Sequence, residues 1–230
     1  MKMNILSIAV SGILTLMISP LVSNCQVKDI EGRSYKICTI KSKQYSTVYQ
    51  FTAENLATAT FANGDKILHA VTNDEWVNAN LAKTPAWCYY NNDPLNGTTY
   101  GKLYNWYAVQ DTRNIAPEGW QVADYNLWSI VQEILGKDSL VIRLKSTTGW
   151  EEDGSGTNES GFNVLPGGFR SSDGSFKSMN MFTYFWTDNR TKDGQSAGAI
   201  GIGYKMTNAF VVQDIPFNRG FYVRCVKRRW

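Results

Sequence analysis

The sequence is poor in the residues that carry out most enzyme chemistry. Its 230 residues include one histidine, His69, and four cysteines, and no two cysteines have Cys-x-x-Cys spacing. A zinc site would need more ligands of these types than the chain has. It also has no nucleophile elbow, P-loop or metalloprotease motif. His69 has no serine or cysteine nucleophile near it in sequence, so we expect a structural or surface histidine and no catalytic residues.

Long hydrophobic runs are absent except at the N-terminus. Lys2 precedes an almost wholly apolar stretch over 5–22, and small polar residues follow at Ser23 and Asn24. This order is typical of a secretory signal peptide, which we assign to residues 1–24. No later stretch is long enough to span a membrane. We therefore expect an exported protein with a single domain over residues 25–230, a length that suits one domain.

Two processing routes fit the end of this leader. The segment from Val22 to Cys25 resembles a loose lipoprotein box, in which Cys25 is lipidated and becomes the mature N-terminus. The alternative is ordinary cleavage after Ser23. We favour lipidation, which would hold the domain at the outer membrane or cell surface through acyl chains and not through protein contacts with the membrane.

The charge balance does not indicate nucleic-acid binding. The chain has 23 Lys and Arg against 20 Asp and Glu, a net charge of +3. The basic run at 227–229 is typical of a solvated tail, not of a binding patch. We predict no nucleic-acid partner.

The cysteine count leaves the pairing open. An exported chain meets an oxidising compartment, where disulfides form. If Cys25 is lipidated, Cys38 is left over. If it is not, Cys25–Cys38 and Cys88–Cys225 make an even set, and the count does not decide between the two.

Local patterns predict a hairpin and then helices in the middle of the chain. Alternating residues over 27–52, with a turn at Glu31-Gly32, indicate antiparallel strands. Thr72 and Glu75 form a capping box that predicts a helix over about 73–82. A second helix is predicted from Tyr100, because Leu103, Trp106 and Tyr107 share one helical face.

A third helix is predicted between an Asp124 N-cap and a Gly136 C-cap. Beyond Gly136 the pattern favours strands. Short apolar runs separated by turn residues lie at 140–144, 162–165, 182–186, 199–204, 208–212 and 220–226. The prediction is an α+β fold with two to three helices and an irregular antiparallel sheet with long loops.

Four blocks, at 100–109, 116–120, 157–170 and 219–227, are rich in aromatic residues and glycine. In this order they closely resemble the family named for the major paralogous domain of Fibrobacter succinogenes. The resemblance implies an exported or lipid-anchored surface protein of Bacteroidetes-like bacteria. It also implies a fold related to C-type-lectin-like domains and to formylglycine-generating enzymes. Most members have no established activity.

The resemblance bears on the cysteines. Formylglycine-generating enzymes work through two neighbouring cysteines late in the chain, and here only Cys225 lies late. A buried Cys88–Cys225 disulfide is therefore our prediction. The alternative is an enzyme on a formylglycine-generating-like scaffold, which would need a reactive Cys225.

An acidic loop gives a weak calcium candidate. Its oxygen-bearing residues are Glu151, Asp153, Asn158 and Glu159. Hard cations bind such oxygens. The sugar-and-calcium signatures of lectins are absent, however, so we favour a solvated loop with no metal or other cofactor.

In lectin-like folds late loops on a rigid scaffold form the ligand surface, and loops generally carry binding residues. The matching stretch here is about 183–219. The ligand-binding candidates in it are Tyr184, Trp186, Asp188, Asn189, Arg190, Tyr204, Asn208, Gln213 and Asn218. We predict a non-enzymatic surface domain that binds glycan or protein. The other hypotheses are the enzyme above and a structural component of a surface assembly. For the aromatic candidates, a purely structural role in the core is an equal alternative.

Overall fold

The computed structural model describes residues 26–41, 47–136, 139–190, 194, 196–207 and 210–229. For Arg190, for 210–213 and for Arg229 it describes the backbone alone. The predicted signal peptide, Cys25 and Asn208 lie outside these ranges. None of the helices in the described ranges is long and apolar enough to cross a membrane.

The described residues form five α-helices, a short 3-10 helix over Tyr90–Asn92, and thirteen strands. The helices are α1 (Asn73–Leu81), α2 (Pro94–Tyr100), α3 (Trp106–Val109), α4 (Tyr125–Leu135) and α5 (Leu140–Leu144). The strands are β1 (Gln26–Lys28), β2 (Ser34–Lys41), β3 (Val48–Thr52), β4 (Leu68–His69), β5 (Ala86–Cys88), β6 (Leu103–Tyr104), β7 (Gln121–Val122), β8 (Gly167–Arg170), β9 (Phe176–Met179), β10 (Phe182–Arg190), β11 (Ala197–Gly203), β12 (Phe210–Ile215) and β13 (Cys225–Arg229).

The strands make three sheets. Two have five strands, in the orders β1-β2-β3-β13-β7 and β12-β11-β10-β8-β9, and the third has the order β4-β5-β6. The segment 220–222 links the second and third of these sheets, because Gly220, Phe221 and Tyr222 form isolated bridges to Arg170, Tyr104 and Phe185. The α+β prediction is confirmed, with a sheet-dominated core and more helices than expected.

Several local predictions are confirmed by the caps and turns. β1 and β2 pair around the predicted turn, where Gly32 N–H donates to the Asp29 carbonyl at 3.0 Å. The capping box of α1 is present at Thr72 and Glu75. Asp124 caps α4, with its carboxylate accepting from Leu127 N–H at 2.7 Å.

Three secondary-structure predictions are wrong, one of them the strand at 162–165, where only Val164 forms an isolated bridge. The predicted helix from Tyr100 is instead the end of α2, because Gly101 has a φ of 78° and stops the helix. Leu103 then lies in β6, and Asn105 caps only the single turn of α3. The run 140–144, predicted as a strand, is α5.

Two fully buried arginines brace the loops between sheets. Arg170 Nη1 donates to the Ala70 carbonyl at 2.7 Å and Nη2 to the Thr72 carbonyl at 2.9 Å. Arg224 Nη1 donates to the carbonyls of Thr52 and Phe162 at 2.8 and 2.9 Å. Neither has a carboxylate within 4.0 Å in the described ranges. A buried charge is tolerated only when it is well hydrogen-bonded, so these carbonyls hold each guanidinium in place.

The predicted Cys88–Cys225 disulfide is wrong. Cys38, Cys88 and Cys225 are all buried free thiols. Cys88 lies in the three-stranded sheet opposite Leu103, whereas Cys225 lies in a five-stranded sheet opposite Val122. Their side chains pack into different hydrophobic clusters. Two cysteines whose side chains point into separate regions cannot be bridged without moving the backbone.

Candidate functional site

A pocket of about 220 Å³ lies where α1, α3, the turn 171–175 and the loop 216–218 meet. Its lining residues are Val77, Asn80, Leu81, Tyr107, Ser172, Pro216, Phe217 and Asn218. Pockets with apolar and aromatic walls and a few placed polar groups are the usual form of small-ligand sites. The loop falls within the predicted ligand stretch, and it meets a helix that is far away in sequence.

The α1 wall is fixed to the loop by hydrogen bonds. Trp76 Nε1 donates to the Asn218 carbonyl at 3.0 Å, and Asn80 Nδ2 donates to the Trp76 carbonyl at 2.8 Å. The Asn80 Oδ1 accepts from Asn105 Nδ2 at 3.0 Å. Asn80 Nδ2 also donates to the Asn218 carbonyl at 3.4 Å, so its amide joins α1, the loop and the N-cap of α3.

The aromatic wall is fixed by stacking. Phe217 stacks on Trp106 with ring centroids 4.4 Å apart and planes at 13°. Tyr107 packs against the edge of Phe217 at 5.8 Å. Trp106 N–H also donates to the Phe217 carbonyl at 3.0 Å. The Phe217 ring is thus held in one position before any ligand arrives.

The Ser172 wall depends on a glycine. Gly174 has a φ of 85°, and a Cβ there would lie 2.8 Å from the Asn73 Cα. The turn 171–175 can pack this closely on the start of α1 only because residue 174 lacks a side chain. Ser172 is thereby placed at the pocket.

Two polar side chains at the pocket are not used by the protein. The Asn218 carboxamide makes no hydrogen bond to any described residue, and its oxygen is buried. Within the same ranges, the Ser172 hydroxyl has no hydrogen-bond partner either. Such groups contrast with Asn80, whose amide is fully engaged. The Ser172 hydroxyl and the Asn218 Nδ2 are the groups left for a ligand, because the Asn218 Oδ1 has almost no accessible surface.

The structure places the aromatic candidates of the late stretch mainly in the scaffold. Trp186 is completely buried, and its Nε1 donates to the Tyr104 carbonyl at 2.8 Å. Tyr184 is half-buried and stacks on Phe221 at 4.9 Å. Tyr204 is half-buried, and its carbonyl accepts from Lys145 Nζ at 2.9 Å. The aromatic residues that line the pocket are instead Tyr107 and Phe217.

The polar candidates divide between structure and surface. Asn189 Oδ1 accepts from Tyr125 N–H at 2.7 Å and so helps to cap α4. Asp188 is exposed. Partial desolvation of its carboxylate, together with the nearby Asp124 carboxylate, raises the pKa of Asp188 to about 6. Arg190 and Gln213 lie in β10 and β12, but their side chains are not described, and Asn208 is outside the described ranges. Of the candidates whose side chains are described, Asn218 alone lines the pocket.

The calcium candidates do not converge in the described ranges. There, no group of three or more His, Cys, Asp or Glu side chains is arranged to hold a metal ion. The Glu159 Oε2 lies 3.5 Å from Arg143 Nε, and Asn158 Oδ1 accepts a hydrogen bond from Asn163 N–H. Glu151 and Asp153 lie on an exposed turn, where Gly154 N–H donates to the Glu151 carbonyl.

His69 is part of an aromatic stack on the surface. Its ring lies 3.8 Å from Trp87 with the planes at 4°, and Tyr89 meets it edge-on at 5.7 Å. Desolvation and the positive charge of Lys102 lower the pKa of His69. The three cysteines in the described ranges are all buried, so none of them meets His69 at the surface.

The fold is an α+β domain with a sheet-dominated core, braced by two arginines that lie in the third and fourth sequence blocks. The family of the Fibrobacter succinogenes major domain matches residues 50–227, which include both arginines and every pocket residue. The chain belongs to this family. No curated protein matches the chain, and no solved structure matches it.

Proposed function

We propose that the chain is a non-enzymatic, exported surface domain that binds glycan or protein ligands through its late part, about residues 183–219. The observation that carries this proposal is the pocket against the loop 216–218. It combines a fixed aromatic wall at Phe217 with two unused polar side chains, Ser172 and Asn218. Rigid pockets of this kind bind without paying to order their own side chains.

The cysteines support a non-enzymatic role. Burial raises the pKa of Cys88 to about 11 and of Cys38 to about 12, and it also raises the pKa of Cys225. A buried thiol with a raised pKa is a poor nucleophile, because the thiolate is the reactive form. A formylglycine-type reaction at Cys225 would require exposure that the fully buried side chain lacks.

The proposal includes kinship with C-type-lectin-like domains and an origin in Bacteroidetes-like bacteria. The layout that supports the kinship is a late loop, 216–218, that presents binding groups from a scaffold braced by Arg170 and Arg224. It also includes export with residues 1–24 as signal peptide and lipid attachment at Cys25. Mass spectrometry of the mature N-terminus should find a diacylated Cys25, and an unmodified N-terminus at Asn24 would instead indicate cleavage after Ser23.

The binding role is tested with the recombinant chain from Gln26 onward. It is applied to a glycan array and used to capture exported proteins. We expect a reproducible ligand whose binding is unchanged by Leu95→Ala, since Leu95 is highly exposed on α2, away from the pocket. Absence of any glycan or protein ligand would overturn the proposed function.

A further inference from the structure

We propose that the pocket holds one sugar ring of a neutral glycan, stacked on Phe217 and oriented by Ser172 and Asn218. This rests on the proposed binding function and names the ligand class for that site. Three features of the pocket carry it: its size, its aromatic wall and its unused polar groups.

The size of the pocket limits the ligand to one small unit. Its volume is about 220 Å³. Pockets for drug-sized ligands have volumes of roughly 300–1,000 Å³. The pocket therefore suits a single hexose ring or one amino-acid side chain, with the remainder of a larger ligand outside it.

The aromatic wall suits the apolar face of a sugar. Phe217 is fixed by its stack on Trp106, and Tyr107 packs at its edge. A rigid aromatic surface offers a large contact area at low entropic cost. A pyranose ring presents C–H groups on its faces and hydroxyl groups around its edge, so it can use an aromatic wall and polar groups at the same time.

The unused polar groups separate a sugar from an apolar side chain. The Asn218 carboxamide makes no hydrogen bond to any described residue; its Oδ1 is buried, and its Nδ2 can donate to a ligand. Ser172 offers a further hydroxyl group at the same pocket. An apolar side chain from a protein would leave both groups without partners, whereas sugar hydroxyl groups can donate and accept.

The surrounding charge gives no preference for an acidic sugar. None of the described residues that line the pocket carries a charge, and the nearby Arg219 and Asp173 have opposite charges. Arg219 Nη1 donates to Ser171 Oγ at 3.4 Å, and the Asp173 carboxylate accepts from Ser175 Oγ at 2.7 Å. We therefore assign a neutral ring.

The test is an NMR titration of the ¹⁵N-labelled chain with free glucose, galactose, mannose and N-acetylglucosamine. We expect at least one to shift the amide signals of residues 77–81, 107, 172 and 217–218 together. A ring of this size supports a Kd of about 1 mM. Asn218→Ala and Ser172→Ala should each weaken binding about tenfold, which is the effect of one hydrogen bond.

Phe217→Leu should also weaken binding about tenfold or more, because it keeps the apolar volume but removes the flat ring. The matched control is Ser129→Ala on α4, which should bind as the unaltered chain does. Thermal melting of each variant separates lost binding from lost folding.

The proposal is overturned if no sugar shifts these signals, if the shifts map elsewhere, or if the three pocket variants bind normally. A ligand found only among proteins also overturns the sugar assignment while leaving the proposed binding function intact. If neither glycan array nor protein capture yields a ligand, the proposed function itself fails.

Discussion

The two ends of the late stretch 183–219 differ in what their side chains do. At the β10 end, Trp186 and Asn189 are committed to the scaffold, one by burial and one by capping α4. At the other end, Phe217 and Asn218 line a pocket, and the Asn218 amide has no described partner. The difference shows that residue type alone, an aromatic next to Asn, does not mark a ligand surface. What distinguishes the ends is whether the fold already uses the polar groups.

Trp186→Ala should have the largest effect on stability. The change removes a fully buried indole and one of the two hydrogen bonds that the Tyr104 carbonyl accepts, while the bond from Phe221 N–H remains. We expect a loss of about 3–5 kcal/mol in the free energy of unfolding. Urea denaturation followed by circular dichroism measures it. A loss below about 1 kcal/mol would mean that Trp186 is not a core residue, and the two ends of the late stretch would then not differ in their structural role.

Phe217→Ala should affect ligand binding more than stability. Phe217 is half-buried, so the expected loss of stability is smaller, about 1–2 kcal/mol. Ligand binding, in contrast, should be lost because the pocket loses its wall. Thermal melting and ligand titration of the same sample measure the loss of stability and the loss of binding. Unchanged binding would show that the pocket is not the ligand site.

Asp188→Asn tests the β10 end by pH. The folded-state pKa of Asp188 is raised to about 6, so the charged form costs stability as pH rises through 6, and the cost is absent below about pH 4. Since Asp188 is exposed, solvent screening keeps this to about 1 kcal/mol or less. Melting from pH 4 to pH 8 should show the variant gaining on the unaltered chain between about pH 4 and pH 6, with the full difference kept above pH 6. A constant difference across this range would contradict the assignment.

Asn189→Ala should have a similarly small but pH-independent effect. It removes one acceptor at the start of α4, which costs about 1 kcal/mol. Binding should not change. Asn63→Ala serves as a control, because Asn63 lies in an exposed turn and bonds only to Asp65. A loss of binding with Asn189→Ala and not with Asn63→Ala would move the ligand surface to the β10 end.

Local signals explain why parts of the fold could be predicted. The ends of α1 and α4 are set by Thr72, Glu75, Asp124 and Gly136, which act on backbone groups a few residues away. The helix predicted from Tyr100 failed because the Leu103, Trp106 and Tyr107 spacing imitates a helix, while Gly101 imposes a left-handed φ. The five residues of α5 carry no periodic signal long enough to distinguish a helix from a strand.

The rest depends on contacts between distant segments. Nothing in the sequence near Arg170 reveals that the carbonyls of 70–72 will receive its guanidinium. The cysteine pairing failed because spacing does not tell which sheet, or which hydrophobic cluster, each thiol enters. Asn218 was a candidate from the sequence, but Ser172, Tyr107 and Phe217 became visible only when α1, α3 and two turns came together.

The most direct test of the contrast between the two ends is one paired measurement. Phe217→Leu and Tyr184→Leu each replace one half-buried aromatic residue of the late stretch with the same aliphatic residue. Both are titrated with the oligosaccharide that gives the strongest array signal. The account predicts that Phe217→Leu loses about tenfold or more in affinity, equivalent to about 1.4 kcal/mol, while Tyr184→Leu binds as the unaltered chain does. The opposite result, with binding lost in Tyr184→Leu and kept in Phe217→Leu, would contradict it.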